Sequence, residues 1–290
     1  MSVTLGRGWN RSHVVLLLAM LAAVVWWGWQ AIDDIAAFAM GQVDNSYILL
    51  APFVAGYLVW LRRSRFQFLR YRPNLIGPLM VAIGLAGSNW GDANGVQVLW
   101  HGGVLLAMFG CVYSMTGWEL VRQFAPAVIA MFLVIPLPGR IRESLAGPAQ
   151  EFSVVTAHAV LQMLGFEATR AGSVITIAGE PVAVGEACNG MRMVFALGLV
   201  VYAFVFSVPF STTTRLVLIA SAPAVALACN IVRLVPTSIA YGWLDPATAE
   251  QIHDIGGWLM LPLALLMLMG IVRLMRWLDL PVMNWRLVPA

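Results

Sequence analysis

Long apolar runs separated by short polar breaks dominate the chain. Taken as membrane spans of about 20 residues, with shorter ones allowed, they predict eight spans. These cover residues 13–32, 47–61, 75–89, 96–113, 124–137, 191–208, 216–235 and 255–272. Charged residues stop several runs, as Asp33 and Asp34 do after the first. The pattern predicts an all-α polytopic membrane protein with about eight transmembrane helices.

One stretch departs from this pattern, between the fifth and sixth predicted spans. Residues 141–164 alternate apolar and polar side chains at helical spacing, which predicts an amphipathic helix at the membrane interface or dipping into it. Two β-rich segments, VITI (174–177) and VAV (182–184), flank an Ala-Gly-Glu-Pro sequence and predict a β-hairpin. We therefore expect a single membrane domain over 1–290, in which 139–187 is an extracytoplasmic or interfacial insertion.

Composition supports a membrane protein and argues against other classes. Only 11% of the residues are charged and 60% are apolar, whereas soluble domains average about 25% charged residues. Twelve Trp and six Tyr suit aromatic belts at two interfaces. The first apolar run lacks a clean cleavage site and is interpreted as a signal anchor. All basic residues are Arg, and they form no clustered soluble face, so we expect no nucleic-acid partner.

The arginines are distributed asymmetrically along the predicted path. One side of the predicted membrane path carries most of the acidic residues and only three of the assigned arginines, Arg140, Arg142 and Arg170. By the positive-inside rule, this predicts cytoplasmic termini and an extracytoplasmic insertion in the cell inner membrane. Twelve arginines fall on the side assigned to the cytoplasm: Arg7, Arg11, Arg62, Arg63, Arg65, Arg70, Arg72, Arg122, Arg215, Arg273, Arg276 and Arg286.

Three different spans bring reactive side chains to the outer face on this topology. Cys188 lies at the start of the sixth span, Arg233 near the outer end of the seventh, and His253 just before the eighth. An arginine inside a membrane costs about 2.5–3.5 kcal/mol on insertion scales and indicates a functional site or a buried partner. The meeting of a thiol, a guanidinium and an imidazole predicts a cysteine-nucleophile site.

The chemistry of these groups suggests their roles. Cys188 would attack a peptide carbonyl and form a thioester, while His253 takes the thiol proton and returns it to the leaving amine. Arg233 would lower the thiol pKa and stabilise the tetrahedral oxyanion. Arg192, close to Cys188, competes with Arg233 for that role.

Three further residues are candidates for support. Asn230 precedes Arg233 by one helical turn and would position it. Asp254 or Glu186 would orient the imidazole or the guanidinium, and the sequence leaves that choice open.

Structural roles remain open for each of these residues. A lone Cys at a helix start is often a small buried residue, a His253–Asp254 pair in an outer loop is often solvated, and Arg233 could extend to lipid headgroups. Cys229 could be packing or pair with Cys188, and we favour packing for Cys111, His101 and His158. Three cysteines without short spacing predict neither a disulfide framework nor a zinc site, and no cofactor is expected.

The segment EACNGMR (186–192) resembles the signature of the exosortase/archaeosortase family. The NIVR segment (230–233) and His253 before a glycine-containing span are similar to the second and third family blocks, and IPLP (135–138) and the hairpin are similar to further family features. The resemblance covers about 46–272. The chain departs from it with Asn189, where many members have Ser, and with Tyr47 after Ser46, where many have His.

This resemblance implies a membrane cysteine transpeptidase with Cys188, Arg233 and His253 as its catalytic residues. Its substrates would be membrane-anchored proteins with a C-terminal PEP-CTERM-like tail, which comprises a Pro-Glu-Pro-like motif, a membrane helix and a basic cluster. The enzyme would cleave near the motif and transfer the protein to an unknown acceptor, in connection with exopolysaccharide production.

Two alternatives remain open from the sequence. One is a non-catalytic transporter or polysaccharide-assembly subunit in which Arg233 and His253 bind an anionic ligand. The other is an intramembrane protease that uses water as the acceptor.

Overall fold

The computed structural model describes residues 8–41, 43–136, 138–183 and 191–283. The chain divides into two compact units, Met1–Pro138 and Gly139–Ala290. The first unit contains α1 (Arg11–Trp27), α2 (Trp29–Gly41), α3 (Leu50–Leu61), α4 (Ile76–Ala93), α5 (Gln97–Thr116), α6 (Trp118–Phe132) and 3-10 turns at Val43–Leu49 and Arg63–Phe68. The second contains α7 (Gly139–Met163), β1 (Ala168–Ala171), β2 (Val174–Ile177), β3 (Glu180–Ala183), α8 (Met191–Ser207), α9 (Thr212–Trp243) and α10 (Pro246–Trp277).

Each predicted span overlaps a described helix, and the fold is that of an α-helical membrane protein with a small sheet. In the described part of the chain, α5, α9 and α10 are long and apolar enough to cross a membrane, and α1 and α2, bent by 66°, make a fourth candidate together. Eight spans are not confirmed. Helices α3, α6 and α8 have 12, 15 and 17 residues, fewer than the roughly 20 that a span needs, and α4 ends in the polar sequence GSNWGDA.

The predicted end of the first span is wrong. The helix breaks at Gly28, where a Cβ atom would lie 2.7 Å from Cγ1 of Val104 on α5, and it resumes as α2. Asp33 and Asp34, which are predicted to stop the first span, therefore lie inside α2. The carboxylate of Asp34 contacts Nε2 of the fully buried His101 at 2.9 Å, so this side chain connects α2 to α5.

Glycines bring α4 and α5 into backbone contact. Gly77, Gly84 and Gly91 repeat every seven residues on α4 and face α5. A Cβ atom at Gly84 would lie 2.6 Å from the carbonyl oxygen of Gly103, and one at Gly103 would lie 2.4 Å from that of Gly84. Small residues are typical of membrane helix interfaces because they allow this close approach.

The predicted amphipathic helix and hairpin are both present in the second unit. Strands β2 and β3 pair antiparallel, with Ile177 opposite Glu180. Ala178 and Gly179 form the turn with φ values of 54° and 85°, and left-handed values at both positions are typical of a two-residue type I′ turn. The turn is thus two residues long rather than four, and β1 adds a third strand that the sequence did not predict.

The sheet and α7 share a hydrophobic core with α9. The ring of His158 on α7 lies 3.0 Å from the carbonyl oxygen of Ala168 on β1. A Cβ atom at Gly242 on α9 would lie 2.8 Å from Cγ2 of Ile177 on β2. The core residues come from all three layers: Val154, Ala157, Leu161, Ala168, Ile175, Ile177 and Leu234.

Helices α9 and α10 form a hairpin whose connection is only two residues long. Asp245 caps α10 by accepting hydrogen bonds from the Thr248 amide at 2.9 Å and its hydroxyl at 2.8 Å. The hydrogen bond from the Thr248 amide, followed by the one from its hydroxyl, lowers the pKa of the Asp245 carboxyl. Pro246 follows at the first helical position, where its fixed φ and missing N–H are favourable.

Candidate active site

A buried polar stripe runs along α9. Asn230, Arg233 and Thr237 lie three and four residues apart, so they share a helix face, and none of them is more than 3% exposed. Nη2 of Arg233 donates to Oδ1 of Asn230 at 3.3 Å. The hydroxyl of Thr237 donates to the carbonyl oxygen of Arg233 at 2.8 Å. Asn230 therefore holds the guanidinium of Arg233, and Thr237 pairs with the backbone carbonyl of the same residue.

Gly256 on α10 covers the stem of Arg233. Helix α9 ends at Trp243 and α10 begins at Pro246, ten residues from Arg233 and Gly256 respectively. The two residues therefore lie at the same level of the helical hairpin. A Cβ atom at Gly256 would lie 3.1 Å from Cγ and 3.8 Å from Cδ of Arg233, so the absence of a side chain makes room for the arginine.

His253 lies on the same side of α10 as Gly256, because the two are three residues apart on one helix. One turn separates them, so the imidazole is displaced from the level of Arg233 by about 4.5 Å along the helix axis. His253 is half-buried, whereas Asp254 is exposed. Successive helix residues do not face each other, and Asp254 therefore points away from the face that His253 shares with Gly256.

The expected position of His253 in a loop before the eighth span is wrong. Helix α10 begins seven residues earlier, at Pro246. Its first turns, PATAEQIHD, are too polar to read as membrane helix, but the Asp245 cap and Pro246 start the helix there. The interpretation of His253 and Asp254 as a solvated loop pair fails for the same reason.

Cys188 and Glu186 lie outside the described residues, and Arg192 is described only as part of the backbone of α8. The elements on either side are well defined. Strand β3 ends at Ala183 and α8 begins at Met191, and both elements pack against α9. Val194 in the first turn of α8 contacts the cluster that contains Cys229 and Met260. The chain therefore enters and leaves the segment 184–190 against the helix that carries Arg233.

The other cysteines are packing residues. Cys229 is fully buried and its thiol lies 3.8 Å from Sδ of Met267 on α10. Cys111 is buried in α5, and both carry free thiols. Among the described residues, no three His, Cys, Asp or Glu side chains are grouped as metal ligands would be.

Two residues near the stripe carry a signal that sequence reasoning missed. Thr237 follows Arg233 by four residues, the spacing at which a hydroxyl reaches the carbonyl of the preceding turn. Gly256 follows His253 by three residues and lies on the same face of α10. A residue without a side chain on this face allows α9 to approach closely at Arg233.

A comparison with protein families matches most of the chain to one family. Residues 40–270, which are most of the chain and include Cys188, Arg233 and His253, match the family model described as transmembrane exosortase. No curated protein and no solved structure gives a significant match. Because the family model matches most of the chain, the chain belongs to the transmembrane exosortase family, a family of sorting-related membrane transpeptidases.

Proposed function

We propose that the protein is a cysteine transpeptidase with Cys188 as nucleophile, His253 as general acid–base and Arg233 as the cationic stabiliser. The observation that carries the proposal is the buried Arg233, fixed by Asn230 and covered by Gly256 one turn from His253. A cation in a water-poor interior is expensive unless it has a function or a partner. Its position beside the helix face of His253 supports a function in catalysis.

The first half of the reaction cleaves the substrate. His253 accepts the thiol proton of Cys188, and the sulfur attacks the carbonyl carbon of the scissile peptide bond. The tetrahedral oxyanion forms within reach of the Arg233 guanidinium. When the C–N bond breaks, His253 gives the proton to the leaving amine, and the substrate remains attached to Cys188 as a thioester.

The second half transfers the substrate to an acceptor. An amine or hydroxyl attacks the thioester carbonyl, His253 takes the acceptor's proton, and the thiolate of Cys188 leaves. If water took the acceptor's place, the protein would be a protease with the same residues. The acceptor therefore decides between transpeptidase and protease chemistry.

Burial makes Arg233 the stronger candidate for the oxyanion role. A donor in a low-dielectric site stabilises developing charge more than one in water does, provided that it is fixed before the reaction. The hydrogen bond from Arg233 to Asn230 meets that requirement. Arg192 would then assist the thiolate, and comparing Arg192→Ala with Arg233→Ala separates the two roles.

Glu186 is the better candidate for an orienting carboxylate. Asp254 is exposed and adjacent to His253 on the same helix, and adjacent helix residues do not face each other. Glu186 precedes Cys188 by two residues in the sequence, and we propose it for this role.

The substrate class follows from the family. We propose membrane-anchored proteins with a C-terminal tail made of a Pro-Glu-Pro-like motif, a membrane helix and a basic cluster. The arginine asymmetry supports cytoplasmic termini in the inner membrane and an active site on the outer side. The basic cluster of the substrate would then remain in the cytoplasm, with the motif at the level of Cys188. A role in exopolysaccharide or envelope production belongs to the same proposal.

Processing of a tailed substrate in membranes tests the proposal. Cys188→Ala, Arg233→Ala and His253→Ala should each abolish cleavage while the protein still inserts. A non-catalytic transporter or assembly subunit needs no thiol, so retained function in Cys188→Ser would favour that alternative. Normal cleavage by Cys188→Ala would rule out the mechanism.

A further inference from the structure

The first unit contains an elongated apolar cavity that the proposed reaction does not use. Its volume is about 370 Å³, within the range of roughly 300–1,000 Å³ found for ligand pockets. Helices α1, α3, α5 and α6 and the 3-10 turn at Arg63–Phe68 supply its walls. The side chains that bound it are almost all hydrocarbon, among them Leu21, Val59, Phe66, Phe109, Phe124 and Phe132.

The shape of the cavity suits a single hydrocarbon chain. On α6 its lining runs from Leu120 to Phe132 across a kink at Phe124, a length of at most about 18 Å at 1.5 Å per residue. Pro52 and Gly56 on α3 also line it and are exposed, so the cavity is open on that side. An α-helix is about 10–12 Å wide with its side chains and would not fit a volume of this size and length.

One end of the cavity is positively charged. Phe66 and Phe124 close this end, with their rings 4.9 Å apart. The neighbouring Arg65 donates from Nη1 to the carbonyl oxygen of Gln123 at 3.3 Å. This hydrogen bond holds Arg65 beside the residue that precedes Phe124.

Two more arginines lie at this end. The guanidinium of Arg63 lies 4.7 Å from the ring centre of Trp60. Arg122 is 69% exposed and 3.9 Å from the carboxylate of Glu119. Arg63, Arg65 and Arg122 therefore outnumber Glu119 beside this end, and Arg62, next to Arg63 in the chain, adds a further positive charge.

We infer that this cavity binds one acyl chain of an anionic phospholipid, whose phosphate is held by Arg65 and Arg122. The apolar walls select a hydrocarbon chain, and the charge at one end selects the headgroup. Arginines close to an anionic lipid surface are attracted to it electrostatically. The basic end would repel the basic cluster of a sorting tail, so the charge favours a lipid over the substrate as occupant.

Gly56 offers a direct test. Gly56 lines the cavity and a Cβ atom there meets no heavy atom within 4 Å, so we expect Gly56→Phe to fill part of the cavity with its ring. Gly87→Phe on α4 is the matched control, because its Cβ also meets open space but does not line the cavity. The full-length protein would be reconstituted with equal parts of phosphatidylglycerol and phosphatidylcholine, and the lipid that co-purifies would be measured by mass spectrometry.

The wild type and Gly87→Phe should retain phosphatidylglycerol in preference to phosphatidylcholine. Gly56→Phe should retain about tenfold less, which corresponds to a loss of roughly 1.4 kcal/mol. The double variant R65Q/R122Q should keep its fold and lose the preference for the anionic lipid. Wild-type retention by Gly56→Phe, or equal retention of the two lipids by the wild type, would overturn the inference. Cys188→Ala should bind lipid normally, so the result is independent of the proposed catalysis.

Discussion

Gly256 on α10 lies against the stem of Arg233 on α9, so closely that a Cβ atom would be 3.1 Å from Cγ of the arginine. This contact sets the distance between the helix that carries Arg233 and the helix that carries His253. Because Asn230 holds the other end of the side chain, the guanidinium has little freedom to adjust. We therefore expect the reaction to be sensitive to the size of residue 256.

Gly256→Val should slow substrate processing strongly. Its side chain would push against Arg233 and move the guanidinium or separate α10 from α9, and a misplacement of about 1 Å can cost about 10²-fold in rate. Initial rates of tail cleavage in proteoliposomes would measure the loss.

Gly257→Val is the matched control, since a Cβ atom at Gly257 meets no heavy atom within 4 Å. It changes the helix propensity in the same way as Gly256→Val and should process substrate at nearly the wild-type rate. If Gly256→Val and Gly257→Val behave alike, the contact with Arg233 does not position the site.

Asn230→Ala should lower kcat without a comparable change in KM. Asn230 is fully buried and accepts a hydrogen bond from the guanidinium. A hydrogen bond to a charged group contributes about 1.5–3 kcal/mol, so a loss of about 10- to 100-fold is expected.

The effect of Asn230→Ala on stability separates positioning from folding. The thermal midpoint of the purified Asn230→Ala variant should fall only slightly, whereas its kcat for tail cleavage should fall strongly. Asn230→Gln should recover part of kcat because it offers the same amide group. A variant that loses kcat only in proportion to its folded fraction would indicate a structural role alone.

The arrangement on α9 was accessible from the sequence because it is local. Asn230 and Arg233 are one turn apart, and helical periodicity alone puts them on one face. The hairpin before α8 was equally local, since β-rich segments flank a turn sequence. Composition predicts a loop at His253, whereas the start of α10 depends on the Asp245 cap and Pro246.

Other features depend on contacts between distant parts of the chain. Asp34 marked the end of a span by its charge, and only the packing of α2 against α5 pairs it with His101. Helix lengths likewise differ from the apolar runs, since α9 and α10 each continue through 32 residues. The roles of Cys188, Arg233 and His253 remain predictions that kinetics must test.

Gly84→Val should destabilise the first unit. The new side chain would meet the backbone of α5, with Cβ 2.6 Å from the Gly103 oxygen and 2.7 Å from the Ala107 nitrogen, and backbone atoms cannot rotate away. Overpacking costs about 1–3 kcal/mol. Denaturant unfolding in detergent should show a lower midpoint for Gly84→Val than for the control Gly87→Val, which faces open space. Equal midpoints would show that α4 and α5 can move apart without a loss of stability.

Asp34→Ala should also destabilise the first unit. It removes the contact to Nε2 of the fully buried His101, whose Nδ1 has no hydrogen-bond partner among the described residues. An unsatisfied buried polar group costs about 1–3 kcal/mol. Asp33→Ala, at an exposed neighbouring position, should be neutral. Adding His101→Phe should recover stability, and strictly additive losses in the double variant would contradict the pairing.

Covalent capture of the substrate on Cys188 tests the central proposal most directly. The purified protein would be mixed with a tailed substrate without an acceptor, quenched in acid and examined by intact mass and peptide mapping. We expect an adduct on Cys188 with the mass of the acyl portion of the substrate, which is the part that precedes the cleaved peptide bond. It should be removed by hydroxylamine and absent from Cys188→Ala. Cleaved product without any adduct, together with normal cleavage by Cys188→Ala, would contradict the mechanism.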